Sequence, residues 1–144
     1  RELAKVLKGS QPTITRARTR LEQEKFIRQY TVFPDFAKIG FELVAFNFIT
    51  MKPSQSSDLE RMRKIRSEWA SDNPNIIMEI GGEGIGANSL MISIHKNYTE
   101  FASFITKYRT DWANNLQDLR SFLISIPNKS LIVKDLSFDG LGKA

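Results

Sequence analysis

An α+β fold is expected for this chain of 144 residues on three observations. The opening segment has helical spacing broken by a single glycine. From Phe41 onward, strand-like and helix-like segments alternate. The excess of positive charge is confined to the opening segment, so the two halves differ in chemistry as well as in pattern.

The elements follow in order. Glu2 to Lys8 puts Leu3, Val6 and Leu7 on one side of a short helix, which Gly9 ends by its freedom to take positive φ. Ser10 supplies an N-cap oxygen for a second helix reaching Glu24, and Pro12 sits in its first turn, where no backbone donor is missed. Ile14, Ala17 and Leu21 recur at helical spacing and are expected to face a core. Pro12, Thr15, Arg16 and Thr19 lie opposite, with Thr13 and Arg20 on the flank. Two helices joined by a tight glycine turn, the second offering Thr and Arg, make a helix-turn-helix. Phe26 to Phe33, rich in β-branched and aromatic residues, is the strand that would make it winged. Residues 1–33 are therefore expected to form a DNA-binding domain, and residues 34–40, with turn formers at both ends, a linker.

Residues 41–144 read as a second domain. Phe41 to Met51 is a strand with Val44, Phe46 and Phe48 on one face and Leu43, Ala45 and Ile49 on the other. Ser57 to Ala70 is a helix with a Leu59, Met62, Ile65, Trp69 stripe and a solvated Glu60, Lys64, Glu68 face. Asn75 to Ile80 and Ser89 to His95 are strands joined by the glycine-rich segment 81–88. Asn97 and Glu100 form a capping box for a helix that buries Phe101, Phe104, Ile105, Tyr108 and Trp112. Phe122 to Ile126 and Leu131 to Leu136 are short strands around Pro127-Asn128-Lys129. The order β-α-β-β-α-β is that of ferredoxin-like sandwiches. Two helices cover one face of such a sheet, yet both faces of the first strand are apolar, so a homodimer through the other face is expected.

Composition narrows the function classes. With 41% hydrophobic and 10% aromatic residues the chain can bury a core, and no apolar run approaches the ~20 residues that span a bilayer. The absence of Cys excludes disulfides and thiolate metal sites and fits a reducing interior, so a cytoplasmic protein with no membrane partner is expected. Asn97 and Asn128 match the glycosylation pattern by chance on that reading. Residues 1–40 carry nine Lys and Arg against four acids, whereas the remainder balances. Such a field favours a polyanion through counterion release.

Candidate site residues follow from these placements. Arg16 and Arg20 could reach guanine edges or phosphates, while Ser10, Gln11, Thr13, Thr15 and Thr19 could donate to phosphates or touch bases. Lys25 and Arg28, near the wing, suit backbone phosphates. The plain alternative is a solvated helix face. Gly82-Glu83-Gly84-Ile85-Gly86 invites a nucleotide-loop reading, but no Gly-Lys-Ser/Thr follows and a strand comes next, so a flexible hairpin connection is expected. His95, the only histidine, reads as a structural residue at a strand end, and no suitably spaced cluster offers a metal site. Asp58 with Glu60 and Asp135 with Asp139 sit among solvated or turn residues, and no nucleophile–base pair points to an enzyme or a cofactor.

The combination Arg20-Leu21-Glu22, Phe26-Ile27, Tyr30-Thr31, Ile39-Gly40 and Ala45-Phe46, behind a basic helix-turn-helix and before a βαββαβ pattern, resembles the Lrp/AsnC family of transcriptional regulators. That resemblance implies a sequence-specific regulator that binds double-stranded DNA through its winged helix. It further implies dimers and octamers built by the sandwich, and a small effector such as an amino acid held between subunits. The effector or inter-dimer contacts would fall at Gly82, Gly84, Gly86 and Asn88. Four departures stand out. The family's opening helix is missing before Arg1, so either the protein extends upstream or its reading head is incomplete. Lys8-Gly9 replaces the usual Gly-Leu, Arg18 stands where an aliphatic is usual, and the hairpin ends in Asn88 rather than a Gly followed by Asp. A ligand-sensing or protein-interaction ferredoxin-like module without DNA binding is the alternative class.

Overall fold

The computed structural model describes residues 10–27, 29–30, 32, 34–53, 59–128, 130 and 133. The chain divides into two units, Arg1–Pro34 and Asp35–Ala144. The helix expected over Glu2 to Lys8, its terminating Gly9 and the site residue Arg28 lie outside the described residues, as do the carboxylates Asp58, Asp135 and Asp139.

In the first unit, helix α1 spans Gln11–Gln23. Ser10 caps it in an extended conformation, its side chain accepting from the Thr13 N–H, and Pro12 lies in the first turn as expected. The expected core side of α1 is not buried: among the described residues Ile14 is half-buried, Ala17 is exposed and Leu21 is 41% exposed. Three apolar positions, flanked by Arg18, make too narrow a stripe to bury a helix on its own. Nor do the described residues of the expected wing form a strand. Phe26, Ile27, Gln29, Tyr30 and Val32 lie in a bend or irregular backbone. The reason sits at the helix end. Lys25 takes a left-handed φ of 59°, and the Ile27 N–H donates to the Leu21 carbonyl at 3.1 Å, so the chain folds back on its own helix instead of extending. Tyr30 then donates its hydroxyl to Glu22.

The second unit is an α+β sandwich. It contains β1 (Leu43–Met51), α2 (Leu59–Ser71), β2 (Ile76–Gly84), β3 (Ala87–His95), α3 (Tyr98–Asp111) and β4 (Leu116–Ser125). The strands form one antiparallel sheet in the order β2-β3-β1-β4. Register places Ala45, Asn47 and Ile49 of β1 on the same face as Met91 and Ser93 of β3 and Leu119 and Ser121 of β4. That face carries the core: Ile49, Met91, Phe104, Tyr108, Trp112 and Leu119 are buried, with Trp69 of α2 edge-on to Tyr108 at 5.1 Å between centroids. Each such side chain contributes roughly 1.5–3 kcal/mol through burial.

Helix α3 packs as its sequence implies. Asn97 accepts from the Glu100 N–H at 2.9 Å, while Glu100 accepts from the Lys96 N–H at 2.7 Å. Helix α2 differs from expectation. Met62 and Trp69 pack against the core, but Leu59 is 55% and Ile65 40% exposed, and α2 has no fully buried residue. The position between its two anchors is taken by Arg66, whose charge is met by Glu79 of β2. A helix that seats an arginine in its inward stripe cannot roll its flanking aliphatics onto the sheet.

One further strand expectation is corrected, and another lies almost wholly outside the described residues. β4 begins at Leu116, six residues before Phe122, because Leu116 and Leu119 reach the core while the residues between them stay exposed. Of the strand expected over Leu131 to Leu136, only Val133 is described, and it is fully exposed.

A polar thread runs through the core face. Ser121 donates to Asn47 Oδ1 at 2.7 Å, Asn47 Nδ2 donates to Ser93 Oγ at 3.0 Å, and Ser93 Oγ lies 2.9 Å from His95 Nε2. Asn47, Ser93 and His95 are buried, so their links hold β1 and β3 in one register, and the exposed Ser121 extends the thread to β4.

Candidate functional site

Two regions hold the residues singled out above. The first is the outward surface of α1. On a helical wheel Thr13, Arg16, Thr19, Arg20 and Gln23 fall within one sector, and all are exposed. Arg16 is the cation in this sector with no ion pair among the described residues. Arg20 is held by Glu24, Nε to Oε1 at 2.7 Å, and Arg18, on the opposite side, by Glu22 at 3.2 Å. These i, i+4 pairs are exposed and contribute little to stability, so a phosphate can exchange for the carboxylate at small cost. Arg18 thus fits the helix as a solvated partner of Glu22, though the resemblance expects an aliphatic there.

The helix N-terminus adds to the positive end of this surface, with no acidic residue in its first turn. Ser10 and Thr13 share a hydrogen bond between their hydroxyls at 2.8 Å, and Thr15 donates back to the Gln11 carbonyl at 3.0 Å. Both threonines are therefore pre-oriented along the helix, and Gln11 is exposed at its start. Lys25 sits at the left-handed helix end, and its side chain is exposed. The structure thus brings Thr13, Arg16, Thr19 and Arg20 together, while Lys25 closes the opposite end of the helix.

The second region is the β2–β3 hairpin. The expected flexible loop is instead strand: Gly81 to Gly84 continue β2 through a shift of register, Ala87 and Asn88 begin β3, and only Ile85 and Gly86 form the turn. Positive φ at both turn residues, 49° and 73°, gives the two-residue primed turn whose twist suits a hairpin. The tip is held from two other strands. Thr50 of β1 donates to the Gly86 carbonyl at 2.6 Å, and Arg120 of β4 donates to the Ile85 carbonyl at 2.7 Å. A Cβ at Gly86 would lie 3.4 Å from that guanidinium, so glycine leaves room for Arg120. Nothing comparable crowds Gly82 or Gly84.

Both ends of the Asn88 carboxamide bond the Met51 backbone, so this side chain clasps β3 to the end of β1 beside the hairpin. Sequence reasoning missed Thr50 and Arg120, whose roles arise only when β1 and β4 are laid beside the hairpin. The sheet face opposite the core is apolar as expected from the first strand: Phe46 pairs with Ile92 and Phe122, and Phe48 with Leu90. Phe122 is 62%, Ile80 54% and Met78 42% exposed. Among the described residues no helix is long and apolar enough to cross a membrane.

No protein-family model matches the chain, and no curated protein matches it. Solved structures do. An AsnC family transcriptional regulator from Agrobacterium tumefaciens superposes with a TM-score of 0.71 at 16% identity, over 95% of this chain and 80% of that one. A transcriptional regulator from Neisseria meningitidis, in complex with L-Met, gives 0.74 at 17%, covering 97% and 85%. A feast or famine regulatory protein from M. tuberculosis, complexed with L-methionine, gives 0.60 at 18%, covering 96% and 82%.

Proposed function

We propose, from a fold of the Lrp/AsnC type, that this chain is a sequence-specific DNA-binding transcriptional regulator. The observation that carries the proposal is the single sector of α1 on which Arg16, Thr19, Arg20 and Thr13 stand exposed together. Two copies of such a helix would read related half-sites, the arginines taking guanine edges or phosphates and the threonines fixing position on the backbone. The two copies would be joined through the open face of the sheet, where Phe46, Phe48 and Phe122 leave apolar area uncovered. Residues 34–40 would link the reading head to that platform, and dimers would assemble further into octamers. A small effector, of the amino-acid class carried by two of the similar structures, would modulate binding near the Ile85–Gly86 turn. A regulator of this kind would act in the cytoplasm and would need no catalytic step of its own.

The test is selection of duplexes from a random pool followed by sequencing. A recurrent motif with two related half-sites supports the proposal. A pool that stays random refutes it.

A second reading is favoured by one observation. The apolar residues of α1 are not buried, and the described residues after Lys25 form no strand, so a ligand-sensing or interaction module without DNA binding fits this chain as well. A random pool, together with a folded dimer that binds a small ligand, would select it.

A further inference from the structure

We propose that the cleft between α2 and β2 binds a small amphipathic anion, with a carboxylate or phosphate headgroup on an apolar body. An open cleft of about 1070 Å³ lies between α2 and β2, which are bridged across it by Arg66 and Glu79. This volume is of the size that holds a metabolite.

Its lining divides by chemistry. Met62 and Ile76 form an apolar floor continuous with the core, while Leu59 and Ile77, 55% and 53% exposed, stand at the walls as apolar surface without cover. The charged lining is Lys52, Arg63 and Arg66 against a single acid, Glu79, so the cleft carries net positive charge. Arg66 is the fixed element. Its Nε donates to Glu79 Oε1 at 3.1 Å and its Nη2 to Glu79 and to Ser89 Oγ, the latter at 2.8 Å, which orients the guanidinium in a half-buried setting. Arg63, one turn earlier on α2, is exposed and makes no ion pair among the described residues. Lys52 lines the cleft from the β1 end, its ammonium donating to the Asn114 carbonyl at 2.9 Å.

Carboxylates and phosphates are what guanidinium forks recognise, and the hydrocarbon part of the same molecule would cover the exposed aliphatics. Neutral apolar ligands would leave Arg63 unanswered, and bare anions would leave the walls wet. The cleft reaches Asn88 at one end but does not include the Ile85–Gly86 turn, and the inference stands independently of DNA binding.

Titration of the ¹⁵N-labelled full chain tests it, using octanoate, octyl phosphate, octanol, acetate and inorganic phosphate as probes. Octanoate or octyl phosphate is expected to shift amides of α2 and β2 saturably, at concentrations at least tenfold below those needed for the other three. The tighter of the two identifies the headgroup. Arg63→Ala, at an exposed position without structural bonds, is expected to weaken that probe at least fivefold while leaving the remaining spectrum in place. Equal response to octanol, shifts centred on Phe46, Phe48 and Phe122, or indifference to Arg63→Ala would each overturn the proposal.

Discussion

Asn88 clasps the backbone of Met51 in both directions: its Oδ1 accepts from the Met51 N–H and its Nδ2 donates to the Met51 carbonyl, each at 2.9 Å. The clasp sits where the β1–β4 register shifts between Thr50 and Met51, so a side chain supplies the pairing that the β3 ladder lacks there. Two solvent-accessible bonds are worth about 1 kcal/mol together. Asn88→Ala is expected to lower the unfolding free energy by that amount, read as a lower urea midpoint at an unchanged slope, and Asn88→Asp, which sets a carboxylate oxygen against the Met51 carbonyl, by at least as much. No change in midpoint would show the clasp to be idle.

Ile85 takes a φ of 49° at the first position of the hairpin turn, a region that β-branched residues avoid. Asn-Gly is the favoured pair for this turn. Because Arg120 bonds the Ile85 carbonyl and not its side chain, Ile85→Asn keeps that contact. The substitution is expected to stabilise the domain by about 1 kcal/mol in urea unfolding. Destabilisation would mean that the exposed Ile85 side chain has a partner.

His95 is wholly buried against Phe101 and Phe104, with Nε2 near Ser93 and no partner for Nδ1 among the described residues. Burial lowers its pKa, with the Glu100 charge opposing. Since the folded state resists protonation, the unfolded state binds more protons as the solution acidifies. Stability linked to His95 is thus fully present above about pH 6.5 and is lost as pH falls below it towards the depressed folded value. Urea midpoints at pH 7.5 and 5.0 should differ more for the natural protein than for His95→Gln. An equal difference would contradict the assignment.

Phe122 is 62% exposed on the face opposite the core and pairs with Phe46 on β1. A single copy of the domain folds without covering it, so Phe122→Glu is expected to leave the circular dichroism spectrum unchanged. In sedimentation equilibrium the same variant should weaken dimerisation by 100-fold or more, because a charge buried at an apolar interface has no answer. A mass that does not change between the two proteins would remove this face from the assembly.

Much of the sandwich was legible because its elements bury one face with a clear period. The α3 stripe, its Asn97 cap and the alternation of β1 and β3 all follow from spacing alone. What could not be read depends on partners distant in sequence. Arg66 displaces Ile65 from the inward face only because Glu79 and Ser89 lie across from it. Gly81 to Gly84 resemble a loop by composition, yet β3 holds them in a ladder. On α1, Ser10 and Pro12 marked the helix start, whereas the turn at Lys25 carries no glycine to announce it. On α1 the exposure of Thr13, Arg16, Thr19 and Arg20 is legible because exposure needs no partner, although Thr15, expected on the same side, falls outside their sector.

The most direct measurement is the anisotropy of a labelled duplex, carrying the selected motif, titrated with the natural protein, Arg16→Ala and Arg20→Ala at one fixed salt concentration. Each substitution is expected to weaken binding by roughly tenfold or more and to reduce the salt slope by about one if the lost contact is to a phosphate. Affinity unchanged in both variants, with the sandwich still folded, would contradict a regulator that reads DNA through this helix.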